Sequence, residues 1–78
     1  MEEYKIDKTL DCIGLYCPEP LFQTREMLDN INTGEILEVM TDDPASEEDL
    51  QRLVKRTGHQ LLSLQNEAGK LRFLIKKN

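Results

Sequence analysis

The chain has 78 residues, of which 38% are hydrophobic and 32% are charged, a length and balance typical of one small folded domain. We therefore predict a single domain over residues 1–78, too small for an enclosed multi-residue active site. Fifteen Asp and Glu against ten Lys and Arg give a net charge of −5, which disfavours direct binding of nucleic acid. Because the chain shows neither a signal peptide nor an apolar run of membrane-spanning length, we expect no membrane insertion and a cytoplasmic location.

The first half of the chain changes its hydrophobic period twice. Apolar residues alternate over residues 4–12, which predicts a half-buried strand whose last side chain, Cys12, faces the core. A helical spacing follows from Pro18, and Gly34 is its predicted stop. Residues 35–41 are rich in aliphatic side chains and alternate again, so they are predicted to form a second strand.

The second half begins with residue types that start helices, namely Asp42, Asp43, Pro44 and Ser46, and Gly58 is predicted to end this helix. Two strands and a loop of hairpin length complete the chain, over residues 60–65, 71–77 and 66–70. The predicted order is β-α-β-α-β-β. It gives an α+β two-layer sandwich in which both helices cover one face of a mixed four-stranded sheet.

Cys17 occupies an unusual place for a thiol, between a strand that ends at Gly14 and a helix that begins with two prolines. A helix N-terminus stabilises a thiolate and lowers the pKa of a cysteine. If Cys17 is the N-cap, Pro18 and Pro20 remove two of the three nearest amide donors, and Glu19 supplies the remaining one together with an opposing carboxylate. We therefore expect a modest lowering of the pKa of Cys17, which suits a thiol that both accepts and surrenders sulfur.

The segment from Gly14 to Pro20 resembles the Cys-Pro-x-Pro motif of the TusA/SirA-like sulfur carrier family. Further stretches look like family positions in family order, so that the resemblance covers about residues 10–77: Leu10-Asp11, Gly34-Glu35, Asp42-Asp43-Pro44-Ala45, Gly58-His59 and Arg72 to Lys76. The family fold is the same β-α-β-α-β-β sandwich. The resemblance implies that Cys17 accepts sulfane sulfur as a persulfide and relays it.

The resemblance also implies the partners of this chemistry. The sulfur donor would be a protein such as a cysteine desulfurase, and the acceptor a protein of tRNA thiolation, cofactor biosynthesis or sulfur metabolism. We expect no cofactor, no metal, no independent turnover and a monomer when free. The motif residues expected to support Cys17 are Gly14, Leu15, Pro18, Glu19 and Pro20. Tyr16, Asp43 and Pro44 are the residues expected to meet a docking partner.

Two other classes of function stay open at this point. A regulatory or adaptor module could use the same surface without sulfur transfer, in which case a Cys17→Ser variant would still bind its partner. A small RNA-binding domain would share the general fold type, but the net charge of −5 and the scarcity of aromatic residues argue against it.

Other chemically suggestive residues have simpler interpretations. Cys12 shares the phase of Leu10 and is predicted to be a buried hydrophobe rather than a resolving thiol. His59 follows a helix-ending glycine and is predicted to serve the helix end or the surface. One cluster of acidic residues is interpreted as a complement to the helix dipole rather than a metal site: Asp42, Asp43, Glu47, Glu48 and Asp49. One cluster of basic residues is interpreted as a solvated strand edge that could also steer a partner: Lys70, Arg72, Lys76 and Lys77.

Overall fold

A computed structural model describes residues 4–16 and 18–78. Within these residues the chain forms four strands and two helices in the predicted order. They are β1 (Lys8–Cys12), α1 (Glu19–Asn30), β2 (Ile36–Thr41), α2 (Ser46–Thr57), β3 (Gln60–Glu67) and β4 (Lys70–Lys76).

The four strands form one mixed sheet in the spatial order β1-β2-β4-β3. β1 runs parallel to β2, which places Cys12 beside Thr41 at the end where both strands finish. β4 pairs antiparallel with both β2 and β3, so the last strand in sequence is central in the sheet. The carboxyl ends of β1 and β2 and the start of β4 therefore lie at the same end of the sheet.

Both helices cover one face of the sheet, as the sequence predicts. Alternate residues of β2 are buried, and α1 and α2 bury stripes at helical spacing against them, because each apolar stripe needs a partner layer. The buried hydrophobic residues that share this core are Cys12, Leu28, Ile31, Leu37, Val39, Leu50, Leu53, Val54, Leu71, Phe73 and Ile75.

The ends of the helices differ in part from the sequence prediction. α2 ends as predicted, with Gly58 in the left-handed region. α1 ends earlier, at Asn30, and Gly34 belongs instead to a turn closed by the Glu35 amide and the Asn32 carbonyl, 3.0 Å apart. Ser46 does not cap α2, because it is the first helical residue and the N-cap is Ala45. The buried Ser46 hydroxyl accepts a hydrogen bond from that of Thr41 over 3.4 Å.

Two strand boundaries also differ. β1 begins at Lys8 rather than at residue 4, because pairing with β2 starts at that residue. The hairpin between β3 and β4 has a loop of two residues instead of the predicted five: Ala68 and Gly69 have φ values of 53° and 86°. Two successive left-handed residues make the type of turn whose twist matches a hairpin, so pairing continues to the turn.

Candidate functional site

Cys17, on which the predicted chemistry depends, lies outside the described residues, and the site is built from the residues around it. On both sides of position 17 the chain is exposed, at Tyr16, Pro18 and Glu19, and the Tyr16 side chain keeps 79% of its accessible surface. Pro20 is fully buried. The motif therefore has a solvent-exposed part and one proline that anchors the helix start in the core.

A tight turn leads the chain from β1 towards position 17. The Leu15 amide donates to the Cys12 carbonyl over 3.1 Å, and Gly14, at the third position of this turn, has a φ of 85°. A left-handed residue at that position is the requirement of a type II turn and favours glycine. Leu15 is partly buried against the core, which fixes the far side of the turn.

Two carboxylates accept the amides of this turn. The Ile13 amide donates to Asp11 Oδ1 over 3.0 Å, and the Gly14 amide donates to Asp42 Oδ1 over 2.9 Å. Asp42 is 28 positions away in sequence and directly follows β2. The fold thus joins the turn before position 17 to the connection between β2 and α2.

Asp43 and Pro44, predicted as docking residues, belong to that same connection. Asp43 Oδ1 accepts the Ala45 amide over 3.1 Å, and the Asp43 carbonyl accepts the Ser46 amide over 3.0 Å. Pro44 is exposed and Asp43 is half-buried. Because the Asp42 carboxylate accepts the Gly14 amide, the structure brings this connection next to the turn that precedes position 17.

The start of α1 corrects the predicted donor arrangement. The N-cap is Pro18, not Cys17, so Glu19 and Pro20 occupy the first and second helical positions. The Glu19 amide donates to the Tyr16 carbonyl over 2.9 Å, and this amide is therefore engaged within the backbone. Pro20 has no amide hydrogen to offer, so the first two helical positions do not provide the free amide that the sequence suggests at Glu19.

Large apolar side chains are exposed on both sides of position 17 in the sequence. Ile13 and Tyr16 precede it, and Phe22 follows one turn into α1 with 59% of its surface exposed. Exposed aromatic residues are enriched where proteins bind one another. The sequence analysis named Tyr16 but missed Phe22. Phe22 could have been found from the sequence, because this large apolar residue falls on the polar side of the helical pattern.

Cys12 has the properties of a core residue, as predicted. Its side chain is fully buried. Burial, and to a lesser extent the neighbouring Asp11 carboxylate, raises the pKa of the Cys12 thiol. A raised pKa and a lack of solvent access both make a thiol unreactive at neutral pH.

The remaining candidates serve the fold. His59 follows Gly58, and its Nδ1 accepts the Asn78 amide over 3.2 Å. Arg72 pairs with Glu38 across the sheet, and Lys77 Nζ donates to the Ile31 carbonyl over 2.7 Å. Glu47, Glu48 and Asp49 lie in the first turn of α2, where acids complement the helix dipole. Among residues 4–16 and 18–78, no group of three metal-ligating side chains comes together.

Neither helix in the described part of the chain has the length and apolar composition needed to cross a membrane.

The chain is similar to a family model, to two relatives and to one solved structure. The family model described as "Sulfurtransferase TusA" matches residues 8–77. A protein of Archaeoglobus fulgidus is 49% identical over 70 residues, covering 88% of this chain and 91% of its own.

The "Sulfur carrier protein TusA" of Allochromatium vinosum is 39% identical over 72 residues, which cover 92% of this chain and 95% of that protein. Among solved structures, the crystal structure of a SirA-like protein from Desulfitobacterium hafniense superposes with a TM-score of 0.80. It is 24% identical, and the match covers 88% of this chain and 95% of the other. This last comparison supports the fold alone.

Proposed function

The chain belongs to the TusA family, and on that premise we propose that it is a sulfur carrier whose Cys17 holds a sulfane sulfur as a persulfide between a donor and an acceptor protein. The observation that carries this proposal is the position of the motif within the matched region of residues 8–77. The flanking residues Tyr16, Pro18 and Glu19 are exposed, as direct transfer between two proteins requires.

The proposed transfer balances without an oxidant or reductant. The Cys17 thiolate attacks the outer sulfur of a persulfide on the donor cysteine. A sulfur–sulfur bond forms at Cys17, the sulfur–sulfur bond of the donor breaks, and the donor cysteine leaves as a thiolate. In the second step an acceptor thiolate attacks the outer sulfur on Cys17, and Cys17 becomes the leaving thiolate.

Catalytic groups for both steps are proposed to come from the partners. The described residues next to position 17 are exposed, and the nearest helical amide, that of Glu19, is already bonded to the Tyr16 carbonyl. We place the docking contact on Tyr16 and Glu19, together with Asp43 and Pro44 at the adjacent connection. The relay would operate in the cytoplasm with a cysteine desulfurase as donor, and would serve tRNA thiolation, cofactor biosynthesis or sulfur metabolism.

The test is a loading experiment. The reduced protein is incubated with a cysteine desulfurase and cysteine, digested, and examined by mass spectrometry. We expect the mass of one added sulfur atom on the peptide containing Cys17, removed by a thiol reductant. A Cys17→Ser variant should gain no sulfur, and a Cys12→Ala variant should load normally.

Other outcomes of this experiment would change the assignment. Sulfur on Cys12 with none on Cys17 would refute the assigned carrier residue. A protein that binds the desulfurase equally well as parent and as Cys17→Ser, yet never gains sulfur, would be an adaptor that uses the same surface.

A further inference from the structure

The turn before position 17 is packed at its two ends, Cys12 and Leu15, but not at its centre. Ile13 and Gly14 are exposed, and a Cβ on Gly14 would meet no atom within 4 Å apart from those of its own residue and its chain neighbours. Glycine also has more backbone freedom to lose on folding than any other residue. The conformation of this turn therefore depends on its hydrogen bonds.

One of these hydrogen bonds differs in kind from the others. The bonds from Ile13 to Asp11 and from Leu15 to Cys12 are local, and they tie the turn to β1, an edge strand of the sheet. The bond from Gly14 to Asp42 Oδ1, at 2.9 Å, ties the turn to the connection that follows β2. β2 is an inner strand of the sheet, so Asp42 is a firm attachment point.

Asp42 does not act as the cap that its sequence position suggests. The local turn before α2 is made by the next residue, since Asp43 Oδ1 accepts the Ala45 amide. The Asp42 carboxylate instead accepts the Gly14 amide. A carboxylate that accepts a backbone amide makes a stronger hydrogen bond than a neutral acceptor does.

We propose that Asp42 is a positioning residue for Cys17: its carboxylate holds the Gly14 amide, fixes the turn that delivers the chain to the motif, and thereby sets the rate at which Cys17 accepts sulfur. This inference rests on the proposed function of Cys17. Asp42 acts through the geometry of Gly14, and not through its negative charge on a docking surface. Two single substitutions separate these two modes of action.

The first variant, Asp42→Asn, removes the charge but keeps an acceptor oxygen at the same distance along the side chain. The second, Asp42→Glu, keeps the charge but displaces the carboxylate by one methylene group. Asp42→Ala removes both properties. Asp29→Ala, on the exposed surface of α1, is the matched control because it changes the net charge by the same amount away from the turn.

Two measurements are made on each variant: the initial rate of sulfur loading on Cys17 by a cysteine desulfurase, and the hydrogen-exchange rate of the Gly14 amide. Positioning predicts that Asp42→Ala loads about tenfold more slowly and that its Gly14 amide exchanges about tenfold faster, consistent with the loss of one hydrogen bond to a charged group. Asp42→Asn should lie between the parent and Asp42→Ala in both measurements, because its neutral oxygen is a weaker acceptor at the same place, and Asp29→Ala should stay within about twofold of the parent. Asp42→Glu should load sulfur more slowly than Asp42→Asn, and its Gly14 amide should exchange faster.

The reverse order overturns the proposal. If Asp42→Glu loads normally while Asp42→Asn loads slowly with its Gly14 amide still protected, Asp42 acts by charge. Normal loading by Asp42→Ala would also refute positioning. A parent protein that never loads sulfur would instead refute the function of Cys17, an outcome that is distinct from both. Should Asp42→Ala fail to fold, the comparison of the Asn and Glu variants still decides the question.

Discussion

The buried thiol of Cys12 predicts how the stability of this protein changes in alkaline solution. Burial raises the pKa of the Cys12 thiol above its ordinary value. In the unfolded chain that thiol ionises above about pH 8.5, whereas in the folded chain its raised pKa shifts ionisation to higher pH. The unfolded state then binds fewer protons than the folded state, so the stabilising contribution is complete below about pH 8.5 and is lost as the pH rises towards the folded-state pKa.

The magnitude follows from the ordinary thiol pKa. Each pH unit above about 8.5 costs up to about 1.4 kcal/mol of unfolding free energy, so a thiol that stayed protonated in the folded state would cost about 2 kcal/mol by about pH 10. Cys12 is fully buried in the core and the pKa of its thiol is raised, so the loss should be measurable and should not exceed this upper bound. Lysine and tyrosine side chains also titrate in this range, so the prediction concerns a difference between two variants.

The assay is urea unfolding at neutral pH and at about pH 10, on a Cys17→Ser background that removes the second thiol. The variant with Cys12 should lose up to about 2 kcal/mol more stability over this interval than the variant with Cys12→Ala. Equal losses would mean that the folded protein ionises Cys12 as easily as the unfolded chain does. The assignment of Cys12 as a buried, unreactive thiol would then be wrong.

Three further substitutions test individual features of the core and the hairpin. Cys12→Ser should lower the unfolding free energy by about 1–3 kcal/mol, because its hydroxyl would be buried, while sulfur loading is retained; full loss of loading in a folded variant would contradict this. Thr24→Val should raise stability by about 1 kcal/mol in thermal unfolding, because the buried Thr24 hydroxyl has no hydrogen-bond partner within the described residues. A lower stability of the variant would show that this hydroxyl does have a hydrogen-bond partner. Ala68→Asn should raise stability by about 0.5–1 kcal/mol, because Ala68 has a φ of 53°, which asparagine tolerates better; an unchanged melting temperature would show that the turn is not strained.

The order of elements could be predicted because the hydrophobic period changes wherever an element ends. The element boundaries could not, because they depend on pairing. Ala68 entered a two-residue loop because β3 and β4 pair as far as Glu67 and Lys70, and no local pattern favours alanine in the left-handed region. Gly34 looked like a helix stop, yet α1 ended at Asn30.

The family could be predicted from a short motif and its companion residues, whereas the contacts that support the turn before position 17 could not. Cys17 could be singled out because prolines and a helix start surround it in the sequence. Asp42 was missed because its hydrogen bond joins residues 28 positions apart, and sequence reasoning assigned it to the nearest helix. The position of the N-cap at Pro18 likewise depends on the Glu19 amide finding the Tyr16 carbonyl.

The central position of β4 has a consequence for how the protein is made. β4 contributes Leu71, Phe73 and Ile75 to the core and separates β2 from β3 in the sheet. Until residues 70–76 have left the ribosome, β2 has no antiparallel neighbour and both helices lack much of the surface they cover. Until then the nascent chain exposes the apolar stripes of both helices, which is a condition under which chaperones bind.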